Sequence, residues 1–368
     1  MVSDDRAICV VGAPLLGNSP SGVCAMFLRH ECHIVRVTHV YIDCRDDTYK
    51  VRVAMLTHII QMILVLLIIG SAQSGLSQTG SPQIDTQQNA PVELRVGGVQ
   101  TNLSIISVPG MPGEDVLIQA PENADISVDK GKIITTDQGS VWTAPDDPGL
   151  AKMEVEYQGV RTRVNLLILT PFENGRDTVL NGYRVGTYAQ PMRNLPSYAV
   201  PRGFIDLTTL PEDLEVSPHF RLGQFRCKQQ PGHEPAYLLV SPQLLVKLEA
   251  LLAAANARGW EADTFFVMSG YRTPFYNAAI GNTTTSSRHL YGDAADIYID
   301  HDRDGQMDDL DGNGRITRDD AHALAALAHE LSTSLGEEWV PGGISAYGAT
   351  AAHGPFVHVD TRGYPARW

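Results

Sequence analysis

Past residue 44 the chain has one cysteine, Cys227, and a lone thiol cannot build the disulfide framework that small secreted domains lean on. The other four, Cys9, Cys24, Cys32 and Cys44, all precede the main apolar run. Positive charge is scarce as well: 28 Lys and Arg stand against 42 Asp and Glu, a formal net charge of -14. Nucleic-acid binding needs a basic face, so that class is set aside. Long apolar stretches are missing too. Ile59–Ile69, the longest, is about eleven residues, short for a bilayer span and right for the core of a signal peptide. What remains, 43% hydrophobic and 19% charged residues over 368 positions, describes a globular chain of two or three domains.

The apolar run divides the N-terminal part. Small residues Gly70-Ser71-Ala72 suit cleavage, Lys50 and Arg52 supply upstream charge, and Met55 lies just before the run. Two readings fit. Either 55–72 is a signal peptide and residues 1–54 are an over-long extension, or 55–72 is an uncleaved anchor with the extension in the cytoplasm. Both imply export to the periplasm or cell envelope. Residues 73–90, rich in Ser, Gln, Gly and Thr, read as a flexible linker.

From 91 to 170 the pattern is short period-two runs such as Met153-Glu154-Val155-Glu156-Tyr157, separated by Gly and Pro turns. That spacing predicts a small β-sandwich of the Ig-like kind, with Trp142 at its centre and no catalytic constellation. Residues 171–216 form a proline- and tyrosine-rich connector, expected to run extended along the domain that follows.

Residues 217–368 carry the chemistry. Ser241 as N-cap, Pro242 at the first position and Gly259 after the last turn bound a helix whose stripe is Leu244, Leu248, Leu251 and Ala255. A second amphipathic helix is predicted over 320–335. Runs at 264–268, 294–299 and 356–360 read as strands, and alternation puts Phe356 and His358 on one face with Val357 and Val359 on the other. An α+β domain with an antiparallel sheet under the site is expected. The loop between residues 287 and 296 reads Ser-x-His-x-x-Gly-x-Ala-x-Asp, and Phe356-Val357-His358-Val359-Asp360 answers it near the C-terminus. Two imidazoles and a carboxylate suit a catalytic zinc that keeps one position for water. Gly292 and Ala294 leave room for the side chains to converge.

These motifs, with Ser269-Gly270-Tyr271-Arg272 and Ser217-Pro218-His219-Phe220, resemble the zinc D-alanyl-D-alanine carboxypeptidase and murein endopeptidase family, which shares its fold with the Hedgehog signalling domain. The resemblance covers about the last 150 to 180 residues, one domain's worth. It implies His289, Asp296 and His358 as zinc ligands and Arg272 as the group that binds substrate or stabilises an oxyanion. It also implies peptidoglycan as the partner. Asp360 is read as an outer partner of His358, or as a carboxylate paired with Arg362. Many members place an acid three residues before the last histidine ligand, where this chain has Pro355, so His353 takes the part of general base, with an exposed loop histidine as the bland alternative. Ser287 is expected to brace the ligand loop, and Tyr271, Tyr276 and Tyr291 to line the cleft or fill the core. A non-catalytic zinc-containing cell-wall binding protein is the competing function.

A separate feature lies between the ligands. Asp309-x-Asp311-x-Asn313-Gly314 with Asp320 at the twelfth position matches an EF-hand calcium loop, with Asp in place of the usual Glu. Asp300-x-Asp302-x-Asp304-Gly305 begins the same pattern, and Asp311 is shared between the two. Eight aspartates fall between 300 and 320. A structural calcium that orders this insert beside the cleft is expected.

Overall fold

Alternating side chains between tight turns make a sheet protein of the first described segment. The computed structural model describes residues 91–229 and 234–368, so the predicted extension, signal peptide or anchor, linker and four early cysteines lie outside it. Among the described residues no helix is long and apolar enough to cross a membrane.

Strands β1 (Leu94–Val96), β2 (Val99–Thr101), β3 (Ile105–Gly110), β4 (Asp115–Gln119), β5 (Asp125–Val128), β6 (Lys132–Thr136), β7 (Gly139–Thr143), β8 (Gly149–Tyr157) and β9 (Val160–Ile168) form two sheets. One is antiparallel in the order β2-β1-β4-β7-β6; the other runs β3-β9-β8-β5, with β3 and β9 parallel. In β8 the inward Ala151, Met153 and Val155 alternate with Lys152, Glu154 and Glu156. Gln158 and Gly159 both have positive φ, as the two-residue turn into β9 requires. Trp142 is buried and donates its indole N–H to the Lys130 carbonyl at 2.8 Å.

The connector folds into short pieces: β10 (Thr170–Pro171), the hairpin β11 (Thr178–Leu180) and β12 (Tyr183–Gly186), and β13 (Gly203–Asp206), which pairs with β10 and with β14 (Tyr237–Leu238). Its tyrosines Tyr183, Tyr188 and Tyr198 point inward and are buried.

Helix α1 (Pro242–Ala257) begins where Ser241 and Pro242 predict, although the Ser241 hydroxyl bonds Gln243 and makes no capping bond. A short α2 (Pro274–Ala279) is capped by the Thr273 hydroxyl, which accepts the Tyr276 N–H. Helix α3 (Arg318–Ser334) starts at a capping box of Thr317 and Asp320. The antiparallel sheet is β15 (Phe266–Ser269), β16 (Ala294–Tyr298), β18 (Phe356–Asp360) and β17 (Ile344–Tyr347), in that spatial order. Helix α3 packs on β17 and β18 and meets α1. In β18 His358 and Asp360 bond each other from one face, while Phe356, Val357 and Val359 all belong to the buried core.

Candidate metal centre

Strand register brings the two distant motifs together. Asp296 of β16 sits directly opposite His358 of β18, and Ser345 of β17 lies opposite His358 on the far side. His289 arrives from the 3-10 turn Arg288–Tyr291 that precedes β16. The turn ends at Gly292 with φ 68°, and a Cβ there would lie 2.5 Å from the Leu239 Cβ and 2.6 Å from its carbonyl oxygen. Only glycine suits that position.

All three side chains are buried, and one donor atom from each lies within 4.8 Å of the others. His289 Nε2 is 3.2 Å from Asp296 Oδ1, and His358 Nδ1 is 2.9 Å from the same oxygen. The other ring nitrogens are held from behind. His289 Nδ1 donates to the Gly270 carbonyl at 2.7 Å, and His358 Nε2 donates to Asp360 Oδ2 at 3.0 Å. In its neutral form each imidazole therefore has its tautomer set, with the inward nitrogen left to meet an ion. The second Asp296 oxygen accepts from Arg272 at 2.7 Å, and Arg272 Nε donates to the Ser269 hydroxyl.

The electrostatics follow. Burial lowers the pKa of His289, with Asp296 pulling the other way. Burial also opposes charge on His358, but the carboxylates on its two nitrogens prevail and raise it to about 9. Burial would raise Asp296; His289 and His358 outweigh it and hold the carboxyl well below the usual range.

The described residues hold this donor set in a sequence context that can be compared with known proteins. Residues 218–310 match the family model Peptidase M15. That similarity supports a relation of the C-terminal region to the M15 peptidases. No curated protein and no solved structure matches the chain. The match contains His289 and Asp296 but stops short of His358, which strand pairing brings opposite Asp296.

The remaining predicted residues divide. Asp360 makes both of the contacts read for it: fully buried, it accepts from His358 and from the Arg362 Nε at 2.9 Å and 3.0 Å. The Gly343 N–H completes its shell at 2.9 Å. Arg272 is committed to Asp296. His353 is half-buried, donates Nδ1–H to the Gly354 carbonyl at 2.8 Å and sits edge-on to Phe356 with centroids 5.0 Å apart. It makes no hydrogen bond to the three ligands.

Of the two readings for Tyr271, cleft lining and core, the structure has the core one: it is 1% exposed and its hydroxyl donates to Tyr188, whose own proton goes to the Leu290 carbonyl at 2.8 Å. A residue that ends a strand next to a ligand turn reads as cleft lining; here the connector covers it. Ser287 likewise makes no side-chain capping bond, and its carbonyl receives the Leu290 N–H. Bracing of the ligand loop falls instead to the buried Arg288–Asp293 pair, with Arg288 also lying over the Tyr198 and Tyr291 rings, 4.3 and 4.6 Å from their centroids. An Arg and an Asp flanking the turn were visible in sequence, but surface pairs look the same. Glu249, also missed, accepts from Ser217, the His219 N–H and His219 Nδ1, which explains the Ser-Pro-His opening.

The acidic insert forms two groups rather than one shared cage: Asp300, Asp302 and Asp304, and separately Asp309, Asp311 and Asp320. Asp309 accepts backbone N–H groups from Gly312, Asn313 and Gly314. Asp320 is fully buried and accepts from Leu310, Asp311 and Thr317, so it also caps α3. Asn313 donates its amide to Asp311 at 2.8 Å.

Proposed function

We propose that this chain is an exported zinc metallopeptidase that hydrolyses amide bonds of peptidoglycan, in stem peptides or their cross-links. The observation that carries the reading is the convergence of His289 and Asp296, inside a segment matching a peptidase family, with His358 from beyond it. The donor set fits zinc: nitrogen and carboxylate oxygen donors, three in number, leave a position for substrate or water. Such an ion would supply Lewis acidity toward a carbonyl oxygen and would acidify a water molecule.

The chain's own residues do the rest. Arg272 and Asp360 orient Asp296 and His358 from outside, as outer partners of metal ligands do. In this reading Arg272 also meets the substrate's carboxylate or the oxyanion that develops at the scissile carbon. His353 accepts the water's proton and returns it to the leaving amine. The family branch suggested by the motifs favours cross-link cleavage over removal of a terminal D-alanine. Incubating the protein with purified muropeptides, with and without chelator, tests this: metal-dependent products name the bond, and no products with the metal loaded defeat the reading.

Pro355 favours the second reading, a zinc-containing cell-wall binding protein without turnover, because the acid many relatives use is missing there. The apolar run at 59–69 supports export by signal peptide or inner-membrane anchor, and the two-sheet domain is read as Ig-like. Calcium is proposed for the insert on the EF-hand spacing and the grouped aspartates. Millimolar calcium should raise the melting temperature of chelator-stripped protein by several degrees, and no shift removes calcium from the account.

A further inference from the structure

The last eight residues turn back along β17. Thr361 N–H bonds the Asp293 carbonyl at 3.0 Å and Gly363 N–H the Pro341 carbonyl at 2.9 Å. Ile344 N–H then bonds the Ala366 carbonyl at 3.2 Å, in a parallel bridge of Gly343 with Ala366. The Ser345 hydroxyl donates to the Trp368 carbonyl, and the Trp368 indole N–H donates to the Tyr347 hydroxyl. The tail thus delivers one side chain, its terminal indole, to the face of the sheet that carries the ligands.

There the indole lies against His358, centroids 5.3 Å apart at 53°. Its neighbour is the Arg362 guanidinium, 5.0 Å from the ring centroid. Arg362 in turn holds Asp360, and Asp360 holds His358 Nε2. The contacts close a ring: His358 to Asp360, Asp360 to Arg362, Arg362 to Trp368, and Trp368 back to His358. Hydrogen bonds at two ring nitrogens fix an imidazole's spin but leave it free to tilt out of its plane. A second ring packed against it removes that freedom. The site leaves no slack: a Cβ on Gly343 would meet Asp360 Oδ2 at 2.5 Å, Trp368 Cη2 at 2.8 Å and Arg362 at 3.0 Å.

We infer that Trp368 is a positioning residue for the metal ligand His358, acting by closing the ring of Asp360 and Arg362 around it. This rests on reading His289, Asp296 and His358 as a metal centre. Trp368 is 55% exposed, so trimming it removes little of the core. Its role is in the aim of the imidazole and not in holding the fold.

The test uses the full chain with Trp368→Ala, Trp368→Leu and Trp368→Phe. Zinc affinity is read by competition with a chromophoric chelator, and the melting temperature is taken on metal-free protein. Expected for Trp368→Ala and Trp368→Leu is a rise in the zinc dissociation constant of about tenfold or more, the range seen when outer partners of ligands are removed. Trp368→Phe, which keeps a flat ring, should stay close to wild type, and all metal-free proteins should melt alike. Zinc affinity within twofold of wild type in Trp368→Ala overturns the inference, as does a loss in all three variants that tracks a fall in melting temperature. Wild-type protein that binds no zinc overturns the metal-centre reading and this inference with it, and that control separates the two failures.

Discussion

His358 is where the residue scale decides most. Held between Asp296 and Asp360, its folded pKa in the metal-free protein is raised to about 9, although burial alone would lower it. A raised folded value means the stabilisation is full below the ordinary histidine range and is lost as pH climbs through about 9. Asp296 and Asp360 work in the opposite sense, since burial raises them but histidines and Arg362 depress them further. Their stabilisation is present above the ordinary carboxylate range and disappears in acid, and the lowered His289 adds to that acid loss. Chelator-treated protein should therefore melt highest between mild acidity and neutrality and lose stability steadily towards pH 9. A melting temperature flat from pH 7 to beyond 9 contradicts this. At the same scale, His353→Ala should cut turnover by about a hundredfold or more, the usual worth of a general base, with zinc content unchanged. Unaltered turnover takes His353 out of the mechanism.

At the scale of elements, the ligand turn is the weak point by design. Gly292 holds a left-handed conformation against the Leu239 backbone, between the donors His289 and Asp296. Gly292→Ala should cost about 1–3 kcal/mol in backbone strain alone, with the clash added, and should weaken metal binding at the same time. Denaturant melts and chelator competition on the same sample measure both; a stable variant with full affinity refutes the close approach. The strands themselves were legible early. Runs at 264–268, 294–299 and 356–360 became β15, β16 and β18 with ends shifted by two residues or fewer, because alternation with period two is a local property. Helix α3 began two residues before the expected Asp320, where the Thr317–Asp320 capping box sits.

The whole molecule adds what no single element has. The connector lies over the ligand turn: Tyr188 receives the Tyr271 proton and gives its own to Leu290, and the Ser197 carbonyl accepts from Arg288. Asn165 of β9 reaches the Glu215 carbonyl, and α1 packs on β3. Tyr188→Phe should destabilise the chain by about 1–3 kcal/mol, since it strands two buried polar groups at once. It should also speed proteolysis of the connector; equal stability and cleavage rates argue that the connector is not coupled to the turn.

The resemblance carried by locally spaced motifs was enough to propose His289, Asp296 and His358, and alternation was enough to pair His358 with Asp360 on one face of β18. Both depend only on neighbours along the chain. Strand order and register, which pair residues 62 apart, determined that Asp296 Oδ1 faces both imidazoles while Oδ2 goes to Arg272. The same long-range packing buried Tyr271, gave the bracing of the ligand loop to Arg288 and Asp293, split the aspartates into two groups and set Trp368 against His358. A side chain's neighbours across strands and from the tail are fixed by closure of the whole fold, and local pattern does not encode them.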